Sequence, residues 1–142
     1  PVLPEDFKIG PLHDLLSAGR EARSIYEVAE TFLKGLQNGT VAKETLLKEN
    51  REQLARSLGY QMEQKRLPIS YRIGAISIEA GVAWMNVRLF GSPGISEGEL
   101  YLTASDGKWY VSDFQISFDS LTLPYEKKQE RYLPSPYGWR LP

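Results

Sequence analysis

The carboxylate best placed for chemistry in this sequence is Asp113. Trp109, Val111 and Asp113 alternate along a predicted strand, so we expect them on one face of it. Apolar neighbours there would desolvate the carboxylate and raise its pKa, which suits a general base that abstracts a proton. The alternative is a structural carboxylate that accepts hydrogen bonds near a strand end. No residue spacing pairs Asp113 with a second acid, so it stands alone as a catalytic candidate.

Trp84 and Arg88 form a candidate binding stripe. They lie four residues apart on a predicted strand with Asn86 between them, so all three are expected on one face. An aromatic platform, an amide and a guanidinium in a row could hold a ligand or a protein partner. The alternative is an ordinary exposed face on which the Arg88 stem lies along Trp84. Trp109 is a further binding candidate.

The single histidine, His13, and the absence of cysteine narrow the available chemistry. Without cysteine there is no disulfide, thiol nucleophile or thiolate metal site. A zinc site needs three or four ligands, which one histidine and scattered carboxylates supply poorly. We interpret His13 as a surface or lightly packed residue, and the alternative is a dyad with a carboxylate. We therefore expect no metal and no cofactor.

The charges of the chain are nearly balanced, with 17 basic and 18 acidic residues. Lys65 and Arg66, with Arg51 and Arg56, make a modest basic cluster that we interpret as a solvated face. Nucleic-acid binding would need more positive charge and an aromatic platform, so no nucleic-acid partner is expected. No apolar run approaches the roughly 18 residues of a transmembrane helix.

A proline-rich, aromatic arm closes the sequence over residues 122–142. Such a segment should fray unless something holds it. We therefore expect Tyr132, Tyr137 and Trp139 to dock on an apolar surface. That surface would belong to this chain or to a second copy, and in the second case the arm would support a homodimer.

The elements that must position these residues begin with helices. Residues 24–37 repeat apolar side chains every three to four positions, which predicts an amphipathic helix. Thr40 is placed to cap a second helix. Asn50 and Gln53 have the spacing of a capping box before a third helix, at 51–58.

Four strands are predicted to follow, at residues 69–79, 82–90, 98–104 and 108–118. Ala80-Gly81 and Asp106-Gly107 are turn signals between them. Short connections favour an antiparallel meander, because parallel strands need long crossovers. Helices followed by a meander predict an α+β fold in which the helices cover one face of the sheet.

Two segments resemble the nuclear transport factor 2-like (cystatin-like) superfamily. They are the end of the first helix, Phe32-Leu33-Lys34-Gly35-Leu36-Gln37-Asn38-Gly39, and the last hairpin, Asp106-Gly107-Lys108-Trp109 with Val111 and Asp113. The resemblance implies a cone, in which a curved four-stranded sheet wraps the helices and an apolar pocket opens at the wide end. The sequence looks most similar to small exported bacterial members, many of them lipoproteins of unknown role. Related dehydratases would place a histidine in the pocket, which this sequence lacks.

The prolines divide the chain into an N-terminal arm at 1–20, a nuclear transport factor 2-like domain at 21–121 and the C-terminal arm at 122–142. The first residue is a proline and not a methionine, so we expect a processed chain whose signal or anchor has been removed. This favours a periplasmic or membrane-anchored protein, and a cytoplasmic location stays open.

Three functions fit these observations. The first is a non-catalytic binding or interaction domain that takes a small apolar ligand or an envelope protein partner. The second is a structural dimerisation module that uses the sheet face and the C-terminal arm. The third is an isomerase or lyase with Asp113 as the base. Fold does not choose among them, because this superfamily includes enzymes and binding proteins.

Overall fold

The computed structural model describes residues 12–124, with side chains from residue 19 onward. The elements are α1 (Leu12–Gln37), short 3-10 turns at Lys43–Thr45 and Lys48–Asn50, α2 (Arg51–Glu63), β1 (Ser70–Glu79), β2 (Val82–Phe90), β3 (Ile95–Ser105), β4 (Lys108–Ile116) and a last 3-10 turn at Phe118–Thr122. The predicted α+β class is confirmed.

Helix α1 begins at Leu12, twelve residues before the predicted start at position 24. The prediction began where the apolar stripe begins, but residues 12–23 contain no proline and several good helix formers, so the helix extends further. The stripe is buried as predicted, and its buried members are Ala22, Ile25, Ala29, Phe32, Leu33 and Leu36. The helix crosses the predicted boundary between residues 20 and 21, and the domain division stays a prediction.

The predicted second helix is wrong, because the segment after α1 forms only two 3-10 turns. Its backbone is used by the sheet instead. Leu46 forms a parallel bridge with Val111, and the Leu47 N–H donates to the Val111 carbonyl over 2.8 Å. The segment therefore covers the free edge of β4, where unpaired backbone groups would otherwise be exposed.

Helix α2 starts at Arg51 as predicted but continues past Gly59 to Glu63. It ends where Lys65 adopts a left-handed backbone conformation, with a φ of 59°. The predicted capping box is wrong, because Asn50 makes no side-chain hydrogen bond to the helix. Its Nδ2 donates instead to the Ser112 carbonyl over 2.8 Å.

The four strands form one antiparallel sheet in the order β1-β2-β3-β4, which confirms the predicted meander. Both predicted turns have positive φ at their two central residues, 50° and 80° at Ala80-Gly81 and 52° and 79° at Asp106-Gly107. This is the type I′ pattern, whose twist matches that of a hairpin.

A β-bulge at Ser112 changes which side chains share a face of β4. Tyr101 pairs with Asp113 while the next residue of β3, Leu102, pairs with Val111, so Ser112 is the extra residue. Trp109 and Val111 are buried, whereas Asp113 is exposed. The prediction that Trp109, Val111 and Asp113 share one face is therefore wrong. A second irregularity lies in β1 between Ile73 and Ile76.

The helix side of the sheet is filled by side chains. Phe32 of α1 meets Phe114 with ring centroids 6.2 Å apart, and Phe114 meets Phe118 edge-on at 6.0 Å. Met85 and Leu100 are also fully buried there. These side chains belong to one hydrophobic core cluster, so the helix side of the sheet is the core of the protein.

Candidate functional site on the outer face of the sheet

The outer face is the side of the sheet turned away from the helices. Along β2, Ala83, Met85, Val87 and Leu89 are buried, so the alternate residues of that strand lie on the outer face. The strand register adds their neighbours from the other strands. The polar and aromatic residues of the outer face considered below are Arg72, Trp84, Asn86, Arg88, Glu97, Glu99, Tyr101 and Asp113. The structure thus brings Trp84, Asn86 and Arg88 onto one face, beside partners from β1 and β3.

One row of this face is made of charges. Arg88 lies directly opposite Arg72 on β1 and Glu97 on β3. The Arg88 Nε is 3.3 Å from the Glu97 Oε2. Two like charges directly opposite each other destabilise a sheet, and the Glu97 carboxylate offsets that repulsion from one side. The result is a row with a guanidinium at the β1 end and a carboxylate at the β3 end.

The next rows hold Glu99 and Tyr101. Glu99 lies opposite Asn86, and Tyr101 lies opposite Trp84. The Tyr101 hydroxyl donates a hydrogen bond to the Glu99 carboxylate. This hydrogen bond, followed by burial and by the negative charges of Glu99 and Asp113, raises the pKa of Tyr101 above its ordinary value. Tyr101 therefore stays a neutral donor to Glu99 at ordinary pH.

A pocket of about 580 Å3 opens between these rows on the outer face. Its lining residues are Arg72, Ile73, Gly74, Asn86, Val87, Arg88, Glu97, Gly98 and Glu99. Val87 is buried and Ile73 packs against the core, so both turn their side chains to the helix side. The floor of the pocket is therefore backbone, and its walls are charged and amide side chains.

Gly98 is required for the shape of this floor. A Cβ at Gly98 would overlap the Gln115 carbonyl of β4 and lie 3.0 Å from the Ile116 Cα. Only glycine lets β3 and β4 approach each other so closely at this point.

Asp113 does not line the pocket. It is exposed, and its Oδ1 accepts a hydrogen bond of 2.8 Å from the N–H of the next residue, Phe114. The bulge at Ser112 turns it away from Trp109 and Val111, whose apolar surroundings the general-base hypothesis required. This placement matches the structural alternative for Asp113.

The other candidates lie elsewhere. Trp109 is 8% exposed and belongs to the core on the helix side, away from the outer face. His13 lies at the start of α1, and its side chain is outside the described residues. Tyr132, Tyr137 and Trp139 also lie outside the described residues.

Three lining residues of the pocket escaped the sequence analysis: Arg72, Glu97 and Glu99. Each faces outward on β1 or β3, so alternation along those strands was a signal that could have found them. Their grouping depends on strand register, which the sequence alone did not supply.

Among residues 19–124, whose side chains the structure describes, no group of three or more His, Cys, Asp or Glu side chains is able to hold a metal ion. Within the same part of the chain, no helix is both long enough and apolar enough to span a bilayer.

Comparison with known proteins addresses the fold. No protein-family model and no curated protein matches the chain. Among solved structures, a designed NTF2-like protein that carries five substitutions matches with a TM-score of 0.52 and 15% identity, covering 68% of this chain and 99% of that one. The chain has the nuclear transport factor 2-like (NTF2-like) fold. At this identity the match carries no information on function.

Proposed function

We propose that this chain is a non-catalytic binding domain whose binding site is the pocket on the outer face. The observation that carries the proposal is the contrast between the two sides of the sheet. The helix side is packed with side chains such as Phe32 and Leu100. The outer face has a pocket of about 580 Å3, which is within the usual size range of ligand sites.

The walls of the pocket favour a polar ligand. Arg72, Asn86, Arg88, Glu97 and Glu99 supply its polar groups, and its floor is backbone. A small apolar ligand would desolvate these groups without pairing them, which is unfavourable. We therefore replace the small apolar ligand expected from the sequence with a charged or amide-bearing one.

The arrangement of acids supports a binding role over catalysis. Glu97 is paired with Arg88, and Glu99 accepts a hydrogen bond from Tyr101. A general acid and base pair needs two titratable groups held in contrasting environments, and these two carboxylates both have donors as partners. Asp113, the one catalytic candidate, is not among the lining residues.

The proposal is tested by mapping where small probes bind, using the amide NMR signals of the protein. Acetate and methylguanidinium test the polar pocket, and 1-octanol tests the interior of the cone. We expect the two ions to shift signals of residues 72–74, 86–88 and 97–99. Shifts caused by 1-octanol around Phe32 and Phe114, with no response of the outer face to either ion, would contradict the proposal.

A homodimer through the same face is a second candidate, favoured by the layout of charge. Arg72 and Arg88 lie on β1 and β2, whereas Glu97, Glu99 and Asp113 lie on β3 and β4. A two-fold axis parallel to the strands would place the basic side of one copy over the acidic side of the other. Four strands of nine to eleven residues give a face of roughly 19 by 30 Å, so two copies would bury on the order of 1,100 Å2 in total, enough for a modest interface.

The dimer is tested by charge reversal and light scattering. Arg88→Glu alone and Glu97→Arg alone are each expected to be monomeric, whereas their mixture should dimerise, because the stated axis places β2 of one copy over β3 of the other and each reversed charge then meets its opposite. Arg56→Glu, at an exposed position on α2, is the control and should dimerise like the unmodified chain. An unmodified chain that stays monomeric would eliminate this candidate. Association with an envelope protein, and export itself, stay predictions of the sequence.

A further inference from the structure

The pocket has opposite charges on its two sides. On the β1 side, the Arg72 guanidinium is exposed and lies across from a second guanidinium, Arg88. Arg88 is already engaged by Glu97. On the β3 side stands the Glu99 carboxylate, with Asn86 of β2 between the two ends. The formal charges of the lining sum to zero, so neither a simple anion nor a simple cation complements the whole pocket.

We propose, building on the binding function proposed above, that the pocket binds a zwitterion of dipeptide length. The ligand carboxylate contacts Arg72, and its ammonium group contacts Glu99. The Asn86 side chain lies between them, where its amide can donate to and accept from the peptide group of the ligand. The Arg88–Glu97 ion pair forms the wall beside the ligand.

The dimensions of the site support this length. Arg72 and Glu99 stand on strands separated by β2 and are offset by two residues along them, since Arg72 is in register with Glu97 through Arg88, so their backbones are about 12 Å apart. The Arg72 and Glu99 side chains are both long enough to shorten this gap, so a ligand that bridges the two charges can be shorter than the backbone separation. An extended dipeptide spans at most about 7 Å, whereas a free amino acid is about half as long and would reach only one end.

Tyr101 acts here as a positioning residue. Its hydroxyl donates to the Glu99 carboxylate and holds one of the two oxygens, which leaves the other oxygen for the ligand ammonium group. Tyr101 lies outside the lining, so its effect on binding would pass through Glu99. Tyr101→Phe should therefore weaken binding of a ligand with a free ammonium group and leave an N-acetylated ligand unaffected.

The test uses glycylglycine and two capped forms of it, with amide NMR shifts as the measure of affinity. The N-acetylated form lacks the ammonium group, and the C-amidated form lacks the carboxylate. We expect each cap to weaken binding about tenfold or more, because a charge-assisted hydrogen bond is lost in each case. Equal affinity for all three forms would overturn the proposal.

Two variants assign each end of the ligand to its residue. Arg72→Ala should lower affinity for glycylglycine about tenfold and leave affinity for the C-amidated form unchanged. Glu99→Gln should lower affinity for glycylglycine about tenfold and leave affinity for the N-acetylated form unchanged. Arg56→Ala and Glu79→Gln change exposed residues outside the pocket lining and are the matched controls. Loss of affinity in a control as large as in its test variant would also overturn the assignment.

The outcome separates this inference from the function on which it rests. If glycylglycine fails to bind while acetate or methylguanidinium still shifts the pocket signals, the zwitterion is wrong and the binding site stands. If no probe reaches the pocket, both are wrong. Peptides with an internal Lys and Glu but capped termini test a third outcome. If they bind and glycylglycine does not, the site binds charged side chains of a larger partner, and the proposal of a small zwitterion is again overturned.

Discussion

Asn50 offers the sharpest test of how the β4 edge is held. The sequence placed Asn50 as a helix cap, but its Nδ2 donates to the Ser112 carbonyl at the β-bulge. The two functions differ in the chemistry they demand. A cap needs a side-chain oxygen that accepts, which Asp supplies as well as Asn. The bond to Ser112 needs an N–H that donates, which Asp lacks.

The expected magnitudes follow from that bond. Asn50→Ala leaves a partly buried carbonyl without its donor, which should lower the free energy of unfolding by about 1–2 kcal/mol. Asn50→Asp should cost about 2 kcal/mol, because it also points a carboxylate at that carbonyl. Gln53→Ala is the control, since Gln53 is exposed and should change stability by less than about 0.5 kcal/mol.

Urea denaturation of the three variants, followed by circular dichroism, measures these differences. The predicted order of stability is the unmodified chain together with Gln53→Ala, then Asn50→Ala, then Asn50→Asp. An Asn50→Asp variant as stable as the unmodified chain would contradict a stabilising hydrogen bond from Asn50 to the Ser112 carbonyl, because that result is what a helix cap predicts.

Three further predictions concern stability. Ala80 has a positive φ of 50° in a type I′ turn, so Ala80→Asn should stabilise the fold by about 0.5–1 kcal/mol in urea denaturation, and a loss would contradict the turn assignment. The buried Ser96 hydroxyl has no hydrogen-bond partner among the described residues, so Ser96→Ala should raise the thermal midpoint, and a lower midpoint would reveal a hidden partner. Burial raises the pKa of Tyr26, so the fold favours its neutral form. That contribution is fully present below the ordinary value of 10.0 and is lost as pH rises through the folded value. Tyr26→Phe should therefore flatten the alkaline loss of stability, and an unchanged pH profile would exclude Tyr26 as a cause.

Local signals in the sequence were enough to predict most of the fold. The apolar period of α1 and the two type I′ turns act over a few residues, so the helix stripe and the hairpins could be predicted without tertiary information. The segment after α1 was mispredicted as a helix because its backbone pairs with β4 at Val111, a contact distant in sequence. The Asn50 side chain was misassigned for the same reason.

The site was harder to predict, because it depends on register. Counting back from the Asp106-Gly107 turn without a bulge would pair Tyr101 with Ser112, whereas the structure pairs it with Asp113. A shift of one residue moves a side chain to the other face of the sheet, which is why Asp113 was expected beside Trp109. The stripe of Trp84, Asn86 and Arg88 lies within one strand, so its shared face was predictable. Its partners on β1 and β3 were not.

We propose a binding site on the outer face of the sheet and a cone interior that is core. The most direct measurement is the amide NMR titration of the unmodified chain with acetate and methylguanidinium. We expect the shifted signals to cluster at Arg72, Asn86, Arg88, Glu97 and Glu99, and the shifts caused by acetate to weaken in the Arg72→Ala variant. Shifts that cluster on the helix side around Phe32 and Phe114 would contradict the proposed site. Acetate shifts that are unchanged in the Arg72→Ala variant would also contradict it.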